Sequence, residues 1–536
     1  MAAHPLATFA GLTMLRQGGN AFDAAIATQL ALAVVFPGAG NIGGGGFMVA
    51  HLADGKNIAL DFREKAPGTA TRDMYLDSAG NPRTDLSQNG HLASGVPGTI
   101  AGIFEELPYA KLPLSKLIQP AIDLAEKGFV LTEAEARSLN SAQNAFRKYN
   151  TLLPVFIKES AWKAGDTLIQ KDLAQTLTRI RDKGAREFYD GETARLIVEE
   201  MQRGKGIITE KDLREYTAKT REATVLSYRG YPIVTMPLPS SGGVVLQQLL
   251  KMVETEPLGQ YGFESVKAVH LMTEAERFAY ADRAQYLGDR DFYSVPVKTL
   301  TSEAYIRRRM TAFQPDKAGN SKDISAGVLS PRSEETTHLD VIDNEGNAVS
   351  ITTTLNGWYG SKVVVGGAGF FLNNEMDDFS VKPGVPNMYG AVGADANAIA
   401  PGKRMLSSMT PTIVLTRGKN EKGEKSTVYL VVGTPGGTTI TTSVFQTLVD
   451  IIDFGLSAED AVNKPKFHHQ WLPDELFVEP AFPAYTREQL TAMGYKVVQR
   501  GSIGRTEVIE VTAAADGTHK IEAVGDGRGD DTALGY

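Results

Sequence analysis

The sequence contains no cysteine among its 536 residues. This absence excludes thiol nucleophiles, disulfide bridges and thiolate metal sites together, and it leaves the redox compartment undecided. Hydrophobic residues make up 42% of the chain and charged residues 22%, which is typical of a globular protein rather than a disordered one. A catalytic nucleophile, where there is one, must therefore be another residue type.

The chain also lacks an excess of positive charge and a long apolar run. Its formal net charge of -8 and its pI near 5.7 argue against binding to nucleic acid or to an anionic membrane surface. The most apolar stretch, residues 25–36, is about half as long as the ~20 residues of a membrane span, so it predicts a buried helix. The opening residues, MAAHPLATFAGLTML, have no basic region followed by a continuous apolar segment. They predict either a cytosolic protein or a leader removed before this numbering begins.

The pattern of the chain changes near residue 336. Residues 96–310 mostly carry apolar side chains three and four apart, in segments that often end at glycine, which predicts helices. The residues after 336 alternate β-branched and polar side chains, which predicts strands. Between them, residues 307–335 are polar and rich in Gly, Ser and Pro, so we expect an exposed linker. The length predicts two lobes or one large layered assembly.

Two small-residue motifs in the first part have structural explanations. The glycine run in residues 38–46 lacks the Gly-Lys-Ser/Thr ending of a nucleotide loop and follows a helical pattern. Close packing of the backbone is the better interpretation. Ser240 and Ser241 precede an apolar helical pattern, and they are more typical of helix caps than of nucleophiles.

A predicted hairpin begins directly after the change in pattern. Pairing Asp343 with Ala348 across the turn NEGN places Thr336 and Thr337 opposite Thr354 and the residue after it. This register predicts that threonine hydroxyls collect at one end of the hairpin.

Thr354 and Asn356 are two residues apart, so they share one face of the predicted strand. A hydroxyl and an amide then project together beside the threonine pair, as in a polar site. The alternative is a threonine-rich edge strand, because β-branched residues suit a pleated sheet.

Two later motifs each allow two interpretations. Glu375, Asp377 and Asp378 follow an apolar strand and form either a functional acidic group or a solvated turn. A strand runs into Gly436 and Gly437 before a helical pattern, which exposes successive backbone N–H groups. Such a turn can hold an oxyanion, or it can simply be tight.

Beyond these local patterns, the chain resembles the γ-glutamyltranspeptidase family of N-terminal-nucleophile hydrolases. The resemblance rests on a series of motifs in order along nearly the whole chain: HPLATFAGLTMLRQGGNAFDAA, GGGGFMV, DFREKAPGTAT, SGVPGT, PSSGG, TTH, TTLN, LNNEMDDFS, SSMTPT, TPGG and HHQWLPDE. One departure is that the chain starts within the family's VASxHPLA segment. The resemblance therefore implies a leader and a further stretch upstream, whose loss would remove an edge strand.

The resemblance implies self-cleavage between Glu335 and Thr336. Residues 1–335 would then be a mostly helical large subunit with part of the sheet core, and residues 336–536 a small subunit that begins at the nucleophile. The implied fold class is α+β, an αββα four-layer sandwich. A free α-amine has a reference pKa near 7.7 to 8.0, so the new N-terminus could act as the general base for its own hydroxyl.

The resemblance also implies roles for charged and hydrogen-bonding groups around the nucleophile. Arg63 would bind the substrate α-carboxylate, for which a planar guanidinium is suited, and Ser407 and Ser408 would complete that contact. The N–H groups of Gly436 and Gly437 would stabilise the tetrahedral oxyanion.

The remaining implied residues surround the same substrate. Asp378, together with Asn356 and Glu375, would accept hydrogen bonds from the α-ammonium. Thr354 would hydrogen-bond the nucleophile. Tyr389 resembles a gate residue in a lid over the pocket.

Neither metal nor cofactor is expected. His338 is predicted to be structural, since it points to the opposite strand face from Thr337. His468 and His469 are adjacent and lack the spacing of metal ligands. The RGD at residues 528–530 is interpreted as a chance match.

The implied activity is that of a γ-glutamyl transferase and hydrolase acting on glutathione and other γ-glutamyl compounds, with water, amino acids or peptides as acceptors. The alternatives are a cephalosporin or glutaryl acylase, which needs no ammonium-binding residue, and an amino-acid-binding shell that is never processed. The expected partners are small molecules and the two subunits of one precursor. A periplasmic or secreted location is expected by resemblance.

Overall fold

The computed structural model of the chain describes residues 1–324, 337–417, 426–513 and 518–536. Glu335 and Thr336, which flank the predicted cleavage, lie outside these ranges. Over the ranges described, no helix has both the length and the apolar content needed to cross a membrane.

Most helices precede residue 324, as the apolar spacing predicts. The α-helices are α1 (Pro5–Arg16), α2 (Ala21–Val35), α3 (Thr84–Gln88), α4 (Thr99–Glu106), α5 (Leu114–Leu117), α6 (Gln119–Lys127), α7 (Glu133–Tyr149), α8 (Lys171–Lys183), α9 (Ala185–Asp190), α10 (Glu192–Gly204), α11 (Glu210–Arg214), α12 (Gly242–Glu254), α13 (Val266–Tyr286), α14 (Val297–Leu300), α15 (Glu303–Met310), α16 (Thr439–Ile452), α17 (Ala458–Asn463) and α18 (Ala484–Ala492).

Strands occur on both sides of the predicted cleavage. They are β1 (Gly45–His51), β2 (Asn57–Asp61), β3 (Phe129–Val130), β4 (Thr167–Leu168), β5 (Lys219–Arg221), β6 (Thr224–Tyr228), β7 (Tyr231–Thr235), β8 (Thr337–Ile342), β9 (Ala348–Thr354), β10 (Thr412–Leu415), β11 (Val428–Gly433), β12 (Phe467–His468), β13 (Leu476–Val478), β14 (Val497–Gln499), β15 (Glu507–Ala513) and β16 (His519–Val524).

The two largest sheets each combine strands from before and after the predicted cleavage. One has five strands in the order β5-β2-β1-β9-β8, and the other has six in the order β16-β15-β11-β10-β7-β6. Strand β1 pairs antiparallel with β9, and β7 pairs antiparallel with β10. Backbone hydrogen bonds therefore join the two parts of the chain in both sheets.

Apolar residues of the two sheets pack together, and helices pack against each sheet. The shared apolar core between the sheets consists of Met1, Phe47, Val49, Ala59, Val234, Met236, Ala348, Met409, Ile413, Leu415, Val428, Val431, Ile440 and Ile509. Helix α2 packs on β8 and β9, while α12, α13 and α16 share a core with the six-stranded sheet.

The predicted buried helix is confirmed as α2. Every residue from Ala21 to Val35 is buried, and the helix starts at a capping box in which Asn20 and Asp23 each accept from the other's backbone N–H. The helix can be apolar on all sides because the sheet and its neighbouring helices enclose it.

The glycine run packs closely against backbone, as predicted. A Cβ atom on Gly43 would lie 2.1 Å from the carbonyl oxygen of Phe371, and one on Gly44 would lie 2.0 Å from that of Thr354. These distances leave no room for any side chain. The run therefore allows the chain to enter β1 beside the end of β9.

The predicted hairpin forms, but its register is wrong by one residue. Ile342, not Asp343, pairs with Ala348, so Thr337 faces Thr353 instead of Thr354. The reason is the loop, in which Gly346 adopts a φ of 89°. The N–H of Asp343 donates to the carbonyl of Asn347, closing a three-residue loop where a four-residue turn was expected.

The predicted exposure of this segment is confirmed for most of residues 311–324, but the segment begins within a helix. Its first residues, 307–310, are the end of α15. Farther on, the N–H of Gly319 donates to Glu274, and the buried Ser321 donates its N–H to Asp474. Backbone hydrogen bonds to one buried and one half-buried carboxylate therefore hold parts of this segment in place.

Candidate active site

A small cavity opens where the ends of several elements meet. Both parts of the chain contribute to it, and the lining residues are Arg63, Arg283, Thr354, Asn356, Glu375, Asp378, Asn387, Tyr389, Ala391, Ser407, Ser408, Met409, Gly437, Thr438 and Ile440. Most residues predicted by resemblance to bind or activate the substrate therefore line one cavity.

Arg63 lies just beyond β2 and is only 1% exposed. Its Nη1 atom is 2.8 Å from Oε2 of Glu375, and its Nη2 atom donates to Oδ2 of Asp378 at 2.5 Å. Burial works against the charged guanidinium, but the two carboxylates raise the pKa of Arg63 above its ordinary value. The cavity thus contains a permanent cation held between acids.

The acidic motif is a short 3-10 turn from Glu375 to Asp378, and the alternative of a solvated turn is wrong. Glu375 and Asp377 are fully buried, and the Asp378 side chain is 13% exposed. Burial raises the pKa of Glu375 well above its ordinary value and raises that of Asp378, whereas Arg63 lowers both. Arg63 is therefore the main group that favours their ionised forms.

The end of β9 brings a hydroxyl and an amide into the cavity together. Thr354 accepts a hydrogen bond from the N–H of Asn356 at 2.8 Å, and Asn356 donates its side-chain amide to the carbonyl of Asn374 at 2.9 Å. Asn356 has a φ of 71°, which turns the chain out of the strand. Both residues line the cavity, but the predicted shared strand face is wrong, because Asn356 lies beyond the end of β9.

Ser407 and Ser408 form another wall and are almost fully buried. Ser407 accepts a hydrogen bond from the N–H of Met409 at 3.1 Å. Ser408 accepts one from Nη2 of Arg283 at 3.0 Å. Hydrogen bonds therefore hold both hydroxyls in the cavity that Arg63 also lines.

The glycine pair lies immediately before α16. Gly436 and Gly437 have φ values of 134° and 49°, which L side chains rarely adopt. Gly437 lines the cavity, and Gly436 is the residue before it. The turn brings backbone at the start of a helix to the cavity, a suitable place for stabilising negative charge.

The segment containing Tyr389 is held against the acidic turn. Asn387 donates its side-chain amide to Oδ1 of Asp378 at 2.9 Å, and the N–H of Met388 donates to Asp377 at 2.7 Å. Tyr389 is 7% exposed and lines the cavity. The segment of the predicted lid therefore lies against the acidic turn, and Tyr389 forms part of the cavity wall.

Arg283 and Asn387 are site residues that sequence reasoning missed. Arg283 belongs to α13, where a charged residue in a helical pattern is usually exposed to solvent. The sequence could have indicated this, because α13 is apolar on several faces. Some of its charged side chains therefore had to be buried. Asn387 lies two residues before Tyr389 in the predicted lid. Its side-chain amide, which can both donate and accept hydrogen bonds, was the feature that could have identified it.

The remaining sequence predictions fall outside the cavity. His338 is buried and hydrogen-bonds Thr352 and Asp340 at 2.9 Å each, in keeping with a structural role. His468 and His469 are buried too, and burial lowers their pKa values to about 3 and about 4. In the RGD triplet, Arg528 is bound by Glu479 within the protein.

Comparisons with known proteins cover nearly the whole chain. The profile of the gamma-glutamyltranspeptidase family matches residues 7–536. The glutathione hydrolase proenzyme of Escherichia coli K12 is 47% identical over 535 residues, which cover 99% of this chain and 90% of that protein.

Solved structures give the same picture. A cephalosporin acylase from Bacillus halodurans is similar with a TM-score of 0.85 and 26% identity, covering 100% of this chain and 95% of that one. The γ-glutamyltranspeptidase of Helicobacter pylori has a TM-score of 0.60 and 48% identity, covering 61% of this chain and 95% of that one. The mixed helix and sheet fold is thus close to both kinds of enzyme, and the chain belongs to the γ-glutamyltranspeptidase family.

Proposed function

We propose that the chain is a self-processing γ-glutamyl transferase and hydrolase. It cleaves the γ-glutamyl bond of glutathione-like donors and passes the acyl group to water, amino acids or peptides. The observation that carries the proposal is the 2.5 Å contact between Arg63 and Asp378 in a small cavity. A γ-glutamyl group carries a carboxylate and an ammonium on one carbon, and this pair offers one opposite charge to each.

Substrate binding follows from the charges in the cavity. The α-carboxylate binds the Arg63 guanidinium and the hydroxyls of Ser407 and Ser408. The α-ammonium binds Asp378 and Glu375, which share a single arginine before substrate arrives. A second cation beside two buried carboxylates relieves their repulsion, so recognition of the ammonium is favourable.

The chemistry begins with cleavage of the precursor. The Thr336 hydroxyl attacks the carbonyl carbon of Glu335, the peptide C–N bond breaks, and an ester and a free amine form. Water then hydrolyses the ester, which leaves Thr336 at a new N-terminus. Before cleavage that nitrogen is an amide and cannot act as a base, so processing activates the site.

Turnover uses the same hydroxyl with its own amine as base. The hydroxyl attacks the donor γ-carbonyl, and the N–H groups of Gly436 and Gly437 stabilise the oxyanion while Thr354 hydrogen-bonds the nucleophile. The donor's amine leaves with a proton, and a γ-glutamyl ester on Thr336 remains. Water or an acceptor amine attacks the ester and restores the hydroxyl.

The proposal includes the subunits, the layer arrangement and the location. Residues 1–335 and 336–536 are the large and small subunits, and their sheets and helices form an αββα four-layer sandwich. Apolar packing between the two sheets and helices packed against each sheet support this arrangement. A periplasmic or secreted location rests on family resemblance alone and is tested by fractionating cells that express the full gene.

A cephalosporin or glutaryl acylase is the second candidate, favoured by the structural likeness to the Bacillus halodurans enzyme. Such a donor has no α-ammonium, so Asp378 would have no partner on the substrate. An amino-acid-binding shell that is never processed would keep the Arg63 and Asp378 pair and remain one chain. Two observations therefore distinguish the three candidates: whether the precursor is cleaved, and whether activity requires an α-ammonium on the donor.

The first test is intact mass after expression. The wild type should give two polypeptides, the smaller beginning at Thr336, and Thr336→Ser should also be cleaved because it keeps a hydroxyl. Thr336→Ala should remain one polypeptide without activity. Cleavage of Thr336→Ala at the same bond would contradict the proposal, since an external protease would then perform it.

The second test concerns the base. The kcat/KM of the processed enzyme should fall as pH drops through the pKa of the Thr336 amine, because the protonated amine cannot accept the hydroxyl proton. Acetylation of that amine should abolish turnover. Retained activity in a fully acetylated sample would identify another base.

A further inference from the structure

Arg283 reaches the cavity from α13 and contacts two serines. Its Nη2 atom donates to Oγ of Ser408 at 3.0 Å, and its Nε atom donates to Oγ of Ser241 at 3.0 Å. The side chain is 8% exposed and lines the same cavity as Arg63. One guanidinium thus bridges the start of α12 and the wall that contains Ser408.

The turn before α12 holds that wall through the same residues. Ser241 donates both its N–H and its hydroxyl to the carbonyl of Ser407, at 2.7 and 2.6 Å. Ser240 accepts from the N–H of Gly242, the first residue of α12, and donates its hydroxyl to the carbonyl of Met409. The predicted serine cap is wrong, because the N-cap residue Ser241 makes no side-chain capping hydrogen bond. The second predicted cap, Ser241, is instead part of the support for the cavity.

The direction of the hydrogen bonds decides what each hydroxyl can do. A guanidinium only donates, so a serine oxygen that binds it must accept and must direct its own proton elsewhere. At Ser241 this proton goes to the carbonyl of Ser407. Ser408 accepts from Arg283 in the same way, and it lines the cavity, where the substrate carboxylate is the acceptor that needs a donor.

The charge of Arg283 acts on the opposite side of the cavity as well. Burial raises the pKa of Asp378, and Arg63 and then Arg283 lower it. Because Arg63 contributes more than Arg283, Asp378 keeps its main counter-ion when Arg283 is replaced.

We propose that Arg283 is a positioning residue for donor binding, which fixes the Ser408 hydroxyl as a hydrogen-bond donor to the α-carboxylate of the γ-glutamyl group. The proposal rests on the function proposed above, because it assigns a role at the same site. A residue that merely held the wall together would affect all donors alike. A residue that orients Ser408 affects only donors that carry the α-carboxylate.

The test compares two anilide donors that differ by this carboxylate, the γ-glutamyl and the 4-aminobutyryl p-nitroanilides. Arg283→Gln should lower kcat/KM for the γ-glutamyl donor about thirtyfold, mostly through KM, because a hydrogen bond to a charged group is lost. The 4-aminobutyryl donor should change less than threefold. Rates are expressed per processed molecule, counted by intact mass.

Additional variants separate positioning from support. Ser408→Ala should match Arg283→Gln, and the double variant should lose no more than either single variant, because both remove one hydrogen bond. Ser240→Ala is the matched control, in which both donors should change by the same factor. Arg283→Lys keeps the charge and should recover part of the lost efficiency, and it replaces Arg283→Gln where the latter is not processed.

Three results decide the inference. Equal losses for both donors in Arg283→Gln, or additive losses in the double variant, would overturn the role of Arg283. Unequal losses with a non-additive double variant would support it. A wild-type enzyme without activity on the γ-glutamyl donor would instead contradict the proposed function itself.

Discussion

Two buried carboxyl groups of this protein differ in whether a cation lies beside them. Glu375 and Glu106 are both 0% exposed, but Glu375 lies 2.8 Å from the Arg63 guanidinium. Glu106, at the end of α4, accepts hydrogen bonds only from the side-chain amide of Gln29 among the residues described, at 3.0 and 3.1 Å. Burial raises the pKa of Glu106 to about 8, so this carboxyl is largely protonated at neutral pH.

The difference shows what distinguishes a structural carboxyl from one that can bind a positively charged group. Burial disfavours ionisation at both places, and an amide opposes it weakly. Arg63 opposes it strongly, because a guanidinium offers full charge and two donors in one plane. Of these two carboxyls, Glu375 therefore has a cation that favours its ionised form, although burial still raises its pKa well above the ordinary value.

Removing the cation should have the largest effect. In Arg63→Gln the acids lose their counter-ion and take up protons, and the substrate carboxylate loses its main partner. We expect kcat/KM for a γ-glutamyl anilide to fall about a thousandfold, since breaking a buried pair costs about 3–5 kcal/mol. Steady-state kinetics per processed molecule measure this loss.

Arg72→Gln is the control for that experiment, because Arg72 pairs with Asp395 on the surface. A similar loss in both variants would mean that general charge, and not the cavity cation, is responsible. Near wild-type efficiency in Arg63→Gln would remove Arg63 from the substrate site.

Neutralising one acid should have the next largest effect. Asp378→Asn keeps the shape but removes the charge that binds the ammonium, so efficiency toward a γ-glutamyl anilide should fall on the order of a hundredfold. A glutaryl anilide, which lacks the ammonium, should lose much less. The measurement is the ratio of the two efficiencies in wild type and variant.

Asp377→Asn is the matched control, since Asp377 is buried next to Asp378 and hydrogen-bonds Ser87 and the N–H of Met388 instead of Arg63. Its ratio should stay at the wild-type value. An unchanged ratio in Asp378→Asn would place the acylase candidate first.

A smaller effect is expected where the lid segment contacts the acids. Asn387→Ala removes the hydrogen bond to Asp378 and should raise KM for γ-glutamyl donors about fivefold, because the covering segment is less well held. Lys382→Ala alters an exposed contact of the same segment and should leave KM unchanged. Equal KM values in wild type and Asn387→Ala would show that this hydrogen bond does not hold the lid.

The smallest effect concerns stability at the structural carboxyl. The folded protein keeps a proton on Glu106 up to about pH 8, whereas the unfolded chain releases it near its ordinary pKa. The stability that this proton gives is complete below the ordinary pKa and is lost as pH rises toward 8. Glu106→Gln removes that loss, so its apparent Tm should exceed the wild-type value by about 2–4 °C at pH 8 and by less at pH 5.

Glu105→Gln is the matched control, because Glu105 is the exposed neighbour of Glu106. Its apparent Tm should follow the wild type at both pH values. A constant difference between Glu106→Gln and the wild type across this range would mean that Glu106 does not change protonation on unfolding.

Local patterns in the sequence predicted the parts of the fold that depend on neighbouring residues. The apolar run predicted α2, and the glycine run predicted close backbone packing, because both follow from side-chain size and spacing. The hairpin was predicted with its register shifted by one residue. A left-handed φ at Gly346 sets the loop length, and the turn motif alone allowed either loop.

The site itself was predicted mainly through family resemblance. Spacing alone brought Thr354 and Asn356 together, but on a shared strand face that Asn356 does not occupy. It left the acids at Glu375 and Asp378 open between a site and a surface turn. Arg283 was missed because its partners are far away in sequence, and a helical pattern does not say which charged residue meets a cavity. Long-range contacts of this kind depend on tertiary packing.

The exchange of strands between the two parts of the chain has a consequence for refolding. While residues 335 and 336 are joined, β1 finds β9 and β7 finds β10 within one molecule, at the high effective concentration that a linker provides. Once the bond is cut, the same pairings require an encounter between two separate chains. Recovery after denaturation should then depend on protein concentration for the processed enzyme and be independent of it for uncut Thr336→Ala. Cleavage of this one peptide bond therefore has two effects. It frees the amine needed for catalysis, and it makes the folded state hard to regain because refolding then involves two chains.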